Sequence, residues 1–509
     1  MKKLICSALC VALSALLLAG CGHPEPEFNE VTDLITEPET ENTPTSLLLP
    51  TQFSLAYMPD QTLDPITCPD GMQQTVASLL YEGLFRLDGK FQPEPALCES
   101  FVCDEDFLSY TFTLRSGVLF SDGSPLTAAD VKSTLDRART SNRYRARLAD
   151  ILSVSAGENT VTVLLSSPNN ALPALLDIPI VKAGTETAHA PTGTGPYFFS
   201  AQDAVPCLVA NRLWRQGTGQ PTERITLVEA ADQSTMLYRL SSHDIQLAAA
   251  DLTGSASVSL SGSLTYQDTD TTILQYLGCN LSREYLNTAA FRRALNCGIN
   301  RAHIVSAFLS GHGRAAQLPL SPVSALYPSE LEQPFSMDAF SAALAECEAL
   351  PTKPLTLLVN EENNFKTAIA AYLAESFSAA GVAVEVRALP WEAYTAALAQ
   401  GDFDLYYGEV RLSADWDLSP LLAKGGALNF GGWGSAQTDS LLAACAASPQ
   451  RDAAITELCA HLKTFSPILP ICFKSSSVLL QTNVVEGLIS TATEPFYNVQ
   501  DCTIHLQSQ

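Results

Sequence analysis

Residues 110–131 read YTFTLRSGVLFSDGSPLTAADV. Tyr110, Phe112 and Leu114 alternate with Thr111, Thr113 and Arg115, the period-two pattern of a half-buried strand. Asp122-Gly123 marks a turn. Thr127 stands three residues before Asp130, a capping-box spacing that predicts a helix start. Val131, Leu135 and Ala138 then fall on one face of that helix. Arg115, Asp122 and Asp130 are suited to turn and cap hydrogen bonds, so most of this stretch reads as structural.

Outward from this stretch the chain mixes short strands and helices. Residues 53–57 alternate like a strand until Pro59 and Pro65 break the pattern. Val76, Leu79 and Leu80 give residues 72–81 a helical face, and residues 161–165 read as a strand. Gly193-Thr194-Gly195-Pro196-Tyr197 is a tight turn feeding another strand, with glycine where a side chain would clash. Residues 288–309 are a long helical stretch with a restart near Asn300. Residues 365–380 are helical up to Gly381, 382–386 a strand, 391–400 a helix closed by Gly401, and 403–407 a strand. Helix and strand alternating in this way predict an α/β domain.

The N-terminus predicts export. Lys2 and Lys3 precede an uncharged apolar run, residues 4–18, shorter than the roughly 20 residues of a membrane span. This fits a signal peptide over residues 1–20. The run closes on Leu18-Ala19-Gly20-Cys21, which resembles the lipobox of bacterial lipoproteins and makes Cys21 the expected lipidation site. The alternative is an ordinary cleaved signal with Cys21 near the cut. Between residues 22 and 50 there is no Lys or Arg, but five prolines and seven acids. Residues 21–50 therefore read as a disordered, self-repelling tether.

Hydrophobic residues make up 46% of the 509-residue chain and charged residues 16%, a globular balance with room for two or three domains. A formal net charge of −25 argues against nucleic acid, which needs a basic footprint. The seven histidines are scattered, and no His-Glu-x-x-His, Cys-x-x-Cys, nucleophile elbow or phosphate-binding glycine loop occurs. Hence no metal ligand set, no cofactor and no catalytic residue is expected. Of fourteen cysteines, Cys6 and Cys10 leave with the signal and Cys21 takes lipid, leaving an odd eleven. Cys98 and Cys103 are near enough in sequence to pair, whereas Cys297, Cys445 and Cys459 read as small core residues. So many unpaired thiols suit a reducing, oxygen-poor habitat.

Residues 110–131 resemble the signature of the family 5 extracellular solute-binding proteins, the oligopeptide-, dipeptide- and nickel-binding lipoproteins of ABC importers. Other segments resemble the family in its order. They are Tyr81-Glu82-Gly83-Leu84-Phe85, the Gly193 turn, Asn211-Arg212-Leu213-Trp214, Asn280, and Phe291-Arg292-Arg293-Ala294-Leu295 through Asn300-Arg301. Gly401-Asp402-Phe403-Asp404, Trp433 to Asp439, and Ser466-Pro467-Ile468-Leu469-Pro470 continue the match. Two departures stand out: Ser435 replaces a usual Asn, and Gly408-Glu409-Val410-Arg411-Leu412 replaces an aromatic Gly-Trp lead-in. Both fall near the family's ligand, so the ligand class stays open.

The resemblance implies a two-lobed periplasmic-binding-protein-like α/β fold, type II, cluster C. Lobe I would comprise 51–82, 193–273 and 470–509, with a subdomain inserted at 83–192 and lobe II at 274–469. It implies a monomer that captures a short peptide and delivers it to an ABC permease and its ATPase from the outer face of the cell membrane. A nickel-chelate or other small-solute carrier, and a surface peptide sensor, are the alternatives. A carboxylate in the cleft would hold the peptide ammonium. Asp415 is the expected anchor, with Asp417 the alternative, in the loop after the 403–407 strand. Tyr57, Trp391, Trp433 and Tyr497 are expected as apolar walls, and Asn280 as a further ligand contact.

Overall fold

The computed structural model describes residues 49–202, 205–254 and 262–507. The expected signal peptide, Cys21 and nearly all of the tether lie outside the described residues.

Strand β1 (Phe53–Tyr57) is buried throughout. The chain then leaves it to build a separate layer. A hairpin, β2 (Phe85–Leu87) and β3 (Pro93–Pro95), precedes four antiparallel strands. These are β4 (Cys98–Cys103), β5 (Ser109–Leu114), β6 (Ile151–Ala156) and β7 (Thr160–Leu165), ordered β4-β5-β7-β6. In β5 the predicted alternation is realised: Tyr110, Phe112 and Leu114 are buried and their neighbours are not. The helix Ala128–Ala138 contributes Val131 and Leu135 to the same core. Its capping acid, Asp130, accepts the Thr127 N–H at 2.9 Å and hydroxyl at 2.6 Å, and the Ala183 N–H at 2.9 Å. Arg115 donates to the Ala96 carbonyl at 3.0 Å. Asp122 accepts the Ser124 N–H at 3.0 Å and the Lys182 ammonium at 2.5 Å. The polar residues of the opening stretch are thus spent on folding.

The chain returns to β1 through the Gly193 turn. A Cβ on Gly193 would lie 2.1 Å from the Leu80 carbonyl oxygen, and one on Gly195 2.5 Å from the Leu80 carbonyl carbon. Two backbones approach there so closely that only glycine fits.

The large sheet follows: β8 (Tyr197–Ser200), β9 (Cys207–Ala210), β10 (Arg224–Glu229), β11 (Leu247–Ala250), β12 (Leu264–Cys279), β13 (Gly313–Ala315), β14 (Leu355–Asn360), β15 (Val384–Leu389), β16 (Leu405–Arg411) and β17 (Ile468–Gln481). With β1 they run β15-β14-β16-β12-β17-β11-β1-β10-β9-β8, and β13 pairs with β17. The helices Asn364–Ala379 and Trp391–Gln400 connect the parallel strands β14, β15 and β16. Asn363 caps the first, and Gly401 at φ 68° ends the second. The helical stretch before them does restart at Asn300, whose side chain accepts the His303 N–H at 3.2 Å.

Two long strands join the halves. β12 and β17, of 16 and 14 residues, pair antiparallel along most of their length. Residues 273–279 of β12 also pair with β16, whereas residues 477–480 of β17 pair with β11. Their register breaks between Asp270 and Leu274, a bulge where the strands pass from one half to the other. This is the two-lobed α/β fold with crossing strands.

All eleven cysteines among the described residues are free. Cys98 and Cys103 sit at opposite ends of extended β4, about 16 Å apart, beyond disulfide reach. Among the described residues no helix is long and apolar enough to cross a membrane.

Candidate functional site

A cavity of about 2090 Å³ opens between the early layer and the half that carries β16. Typical small-molecule sites are about 300–1,000 Å³, so this one has room for an extended ligand. Arg143, Tyr144, Arg147 and Asn169 line it from the early layer. Residues 410–421, which lead out of β16, line it from the other side. Thr272 and Ser476 line it from the crossing strands, and Ala250 and Asp251 from the end of β11.

Asp415 and Asp417 both line this cavity, and they differ in how far they are engaged. One Asp415 oxygen accepts the Asn169 amide N–H at 2.8 Å, across the cleft. The other accepts the Ser413 hydroxyl and, at 3.3 Å, the Asp417 N–H. The backbone carbonyl of Asp415 accepts from the Arg451 guanidinium. Next to Asn169, the Asn170 amide donates to the Cys445 and Ser448 carbonyls at 2.9 and 2.7 Å. Asn169 and Asn170 therefore clasp the early layer to the opposite wall.

Asp417 Oδ1 accepts the Ser419 N–H at 2.9 Å, and the Ser419 side chain also favours its charged form; among the described residues the carboxyl makes no hydrogen bond across the cleft. Desolvation, joined by the nearby Asp415 and Asp150 charges, pushes its carboxyl up from the usual range. A cation between these acids would be drawn in strongly.

The cavity's basic groups also divide. Arg143 is paired with Asp70, and Arg147 with Asp177. Arg411 and Lys424 line the cavity with no ion-pair or side-chain hydrogen-bond partner among the described residues. Beneath them Lys474, only 3% exposed, reaches Asp251 at 2.6 Å and Glu409 at 3.6 Å. Lys474 lies on β17, Asp251 follows β11 and Glu409 lies on β16, so this network ties both halves at the crossing. Burial pushes the Glu409 carboxyl up, but Lys474 and Lys366 outweigh it and hold the group below its usual range.

The other expected contacts lie away from the cavity lining, each for a local reason. Tyr57 is 5% exposed in the β1 core. Trp391, 57% exposed, stacks on Tyr394 at the start of its helix. Trp433 donates its ring N–H to Thr438 at 3.0 Å and packs on His461 and Phe465. Tyr497 lies under the Arg86 guanidinium at 4.1 Å and donates to Glu94 at 2.6 Å. Asn280 donates to the Gly401 and Phe403 carbonyls, both at 3.0 Å, pinning the end of β12 to a turn. Arg411 falls in the 408–412 departure that the sequence marked; the cavity groups that sequence reading missed are Asn169, Asn170, Lys424 and Glu494, with Lys474 outside the lining. No motif marks them; only the folded chain brings them together.

Two α/β lobes joined by crossing strands over a large, charged cleft define a solute-binding protein. The profile of bacterial extracellular solute-binding proteins, family 5 Middle, matches residues 92–427. The chain belongs to this family: it is an extracytoplasmic solute-binding protein of ABC importers. It is 27% identical over 389 residues to the glutathione-binding protein GsiB of Salmonella paratyphi A, covering 71% of this chain and 75% of that one. In fold it resembles the ABC transporter substrate-binding protein CtaP of Listeria monocytogenes (TM-score 0.74, 18% identity, 90% of this chain and 99% of that one). A nickel ABC transporter structure from Bacillus halodurans is equally similar (TM-score 0.74, 21% identity, 89% and 99%). These relatives are solute-binding proteins rather than enzymes.

Proposed function

We propose that this protein captures a short peptide and hands it to an ABC import permease and its ATPase. The observation that carries this reading is the pairing of opposite charges in one cavity. Among the described residues the Asp417 carboxylate is engaged only within its own loop, by Ser419, and Arg411 and Lys424 have no ion-pair partner. A zwitterionic peptide has an ammonium for the first and a carboxylate for the second. Its main chain can be held like an added strand, with water filling the side-chain space. Glutathione, the ligand in the name of the relative above, is itself a short peptide with these groups. Asp417 is the better anchor than Asp415, because the Asp415 oxygens are already engaged by Asn169 and Ser413.

The same reading divides the chain into lobe I (51–82, 193–273, 470–509), the insert (83–192) and lobe II (274–469). The separate early sheet and the crossing strands support that division. Cys21 carries the lipid, and the acidic tether holds a monomer near the permease while leaving the lobes free to hinge. Two acyl chains make a stable anchor where one is marginal.

The test is mass spectrometry of whatever denaturation releases from the purified soluble domain. Short peptides are expected. A metal chelate without peptide overturns the ligand assignment. For the anchor, C21S is expected to move the protein from the membrane to the soluble fraction.

A further inference from the structure

Glu494 lines the main cavity from the segment after β17. It sits among two other acids, Glu82 and Glu94, and two arginines, Arg86 and Arg215, and these four pair with one another, although Glu82 Oε2 stays buried without a hydrogen bond among the described residues. Arg215 donates to Glu82 at 2.8 Å. Arg86 donates to Glu94 at 3.1 Å, and Glu94 also accepts the Tyr497 hydroxyl at 2.6 Å. The Glu494 carboxyl has no hydrogen bond or ion pair among the described residues. Its recorded polar contacts are those of its backbone, with Thr491. The cluster is one cation short, and its unmatched acid is the one that borders the cavity.

We propose that Glu494 is a specificity-determining carboxyl of the cavity that receives a second cationic group on the ligand, a lysine- or arginine-type side chain. This rests on the peptide reading above and names its substrate class. Asp417 takes the ammonium terminus from the 410–421 segment, and Glu494 takes the side-chain cation from the segment after β17. Burial pushes the Glu494 carboxyl up to about 7, with Arg86 and Arg215 opposing and Glu82 and Glu94 reinforcing the rise. The group is then mostly neutral below neutral pH and charged above it. A ligand cation favours the charged form, so its binding expels a proton and strengthens as pH rises through 7.

The test is calorimetry of the whole soluble domain with Ala-Ala-Ala, Ala-Lys-Ala and Ala-Glu-Ala, on wild type and E494Q. Glu494→Gln keeps the shape of a side chain that holds no protein partner, so the fold is expected to persist. Wild type at pH 8 should prefer Ala-Lys-Ala to Ala-Ala-Ala by about tenfold, the size of one charge-assisted hydrogen bond. E494Q should reduce that preference to about twofold and leave Ala-Ala-Ala unchanged. Titrations at pH 7 in buffers of different ionisation enthalpy should detect proton release for wild type with Ala-Lys-Ala and none for E494Q. A lysine preference that survives E494Q, or no preference in wild type while all three peptides bind, overturns the role of Glu494 alone. Failure of every peptide to bind either protein overturns the peptide reading, and this inference with it.

Discussion

The Asn169 side-chain amide donates to the Asp415 carboxylate at 2.8 Å across the cleft, joining residues 246 positions apart in the chain. With the Asn170 contacts to Cys445 and Ser448, it forms a clasp between two walls of the cavity. A hydrogen bond to a charged group is worth about 1.5–3 kcal/mol when buried, less when water competes. N169A should therefore raise the open population of the empty protein by about tenfold. Small-angle scattering should show a larger radius of gyration for the empty variant, and the wild-type value once ligand is bound. An unchanged radius in the empty state would mean that the clasp does not set the opening.

The ammonium anchor can be separated from the clasp. D417N should weaken binding of a free-amine tripeptide by about tenfold or more and leave its N-acetylated form within about twofold. D415N acts through the clasp and should weaken both to the same extent. Because the Asp417 carboxyl is raised, its charge is lost at a higher pH than for an ordinary aspartate. Affinity for free-amine peptides should accordingly begin to fall on acidification before the usual aspartate range is reached. Equal losses for the two peptides in D417N would remove Asp417 from the site.

The Gly193 turn predicts a stability effect with no ligand contact. A Cβ on Gly193 would meet the Leu80 carbonyl oxygen at 2.1 Å and the Tyr81 ring at 2.4 Å. G193A must push two backbones apart and should cost about 1–3 kcal/mol, as overpacking does. A thermal midpoint equal to wild type would contradict the close approach.

Lys474 lies at the crossing of the lobes, where removal leaves Asp251 without its cation and Glu409 with Lys366 alone, at 3.3 Å. K474M should cost about 1–3 kcal/mol, less than breaking a fully buried pair because Asp251 is partly exposed and Glu409 keeps Lys366, read by urea unfolding. Adding E409Q should recover part of the loss. The depressed Glu409 carboxyl contributes stability that is present above its unfolded pKa and lost as pH falls through the folded value. E409Q should therefore flatten the acid limb of the stability profile.

The thiols give a fourth structural check. Cys103 is exposed, whereas burial pushes Cys68 and Cys98 up to about 11 and Cys472 up to about 12. Ellman's reagent should modify Cys103 first in the native protein. After unreduced denaturation it should modify all the cysteines from Cys68 onward. A substantial shortfall there would reveal disulfides and count against the reducing habitat.

How much could be read before folding depends on range. β5 and the Ala128–Ala138 helix were legible because alternation, a turn and a capping box act within a few residues. The helices Asn364–Ala379 and Trp391–Gln400 were legible for the same reason, periodicity closed by Gly381 and Gly401. The aromatic walls were not. Trp433 and Tyr497 carry the chemistry of a ligand wall, but Arg292 and Arg86 lie over their rings, and those neighbours are distant in sequence. Asn280 looked like a contact and proved to be a backbone tie, since an amide serves either purpose.

The sequence alone determined the α/β class, the family and the loop in which the cleft acids lie, because each is written in local pattern. Only the tertiary structure separates the surroundings of the two acids: Asn169 engages Asp415 across the cleft, whereas Asp417 is engaged within its own loop by Ser419. Only it isolated Glu494, by matching Arg215 to Glu82 and Arg86 to Glu94. Whether a charge is spent or available depends on partners that the chain brings together from hundreds of residues away, and that is a property of the fold.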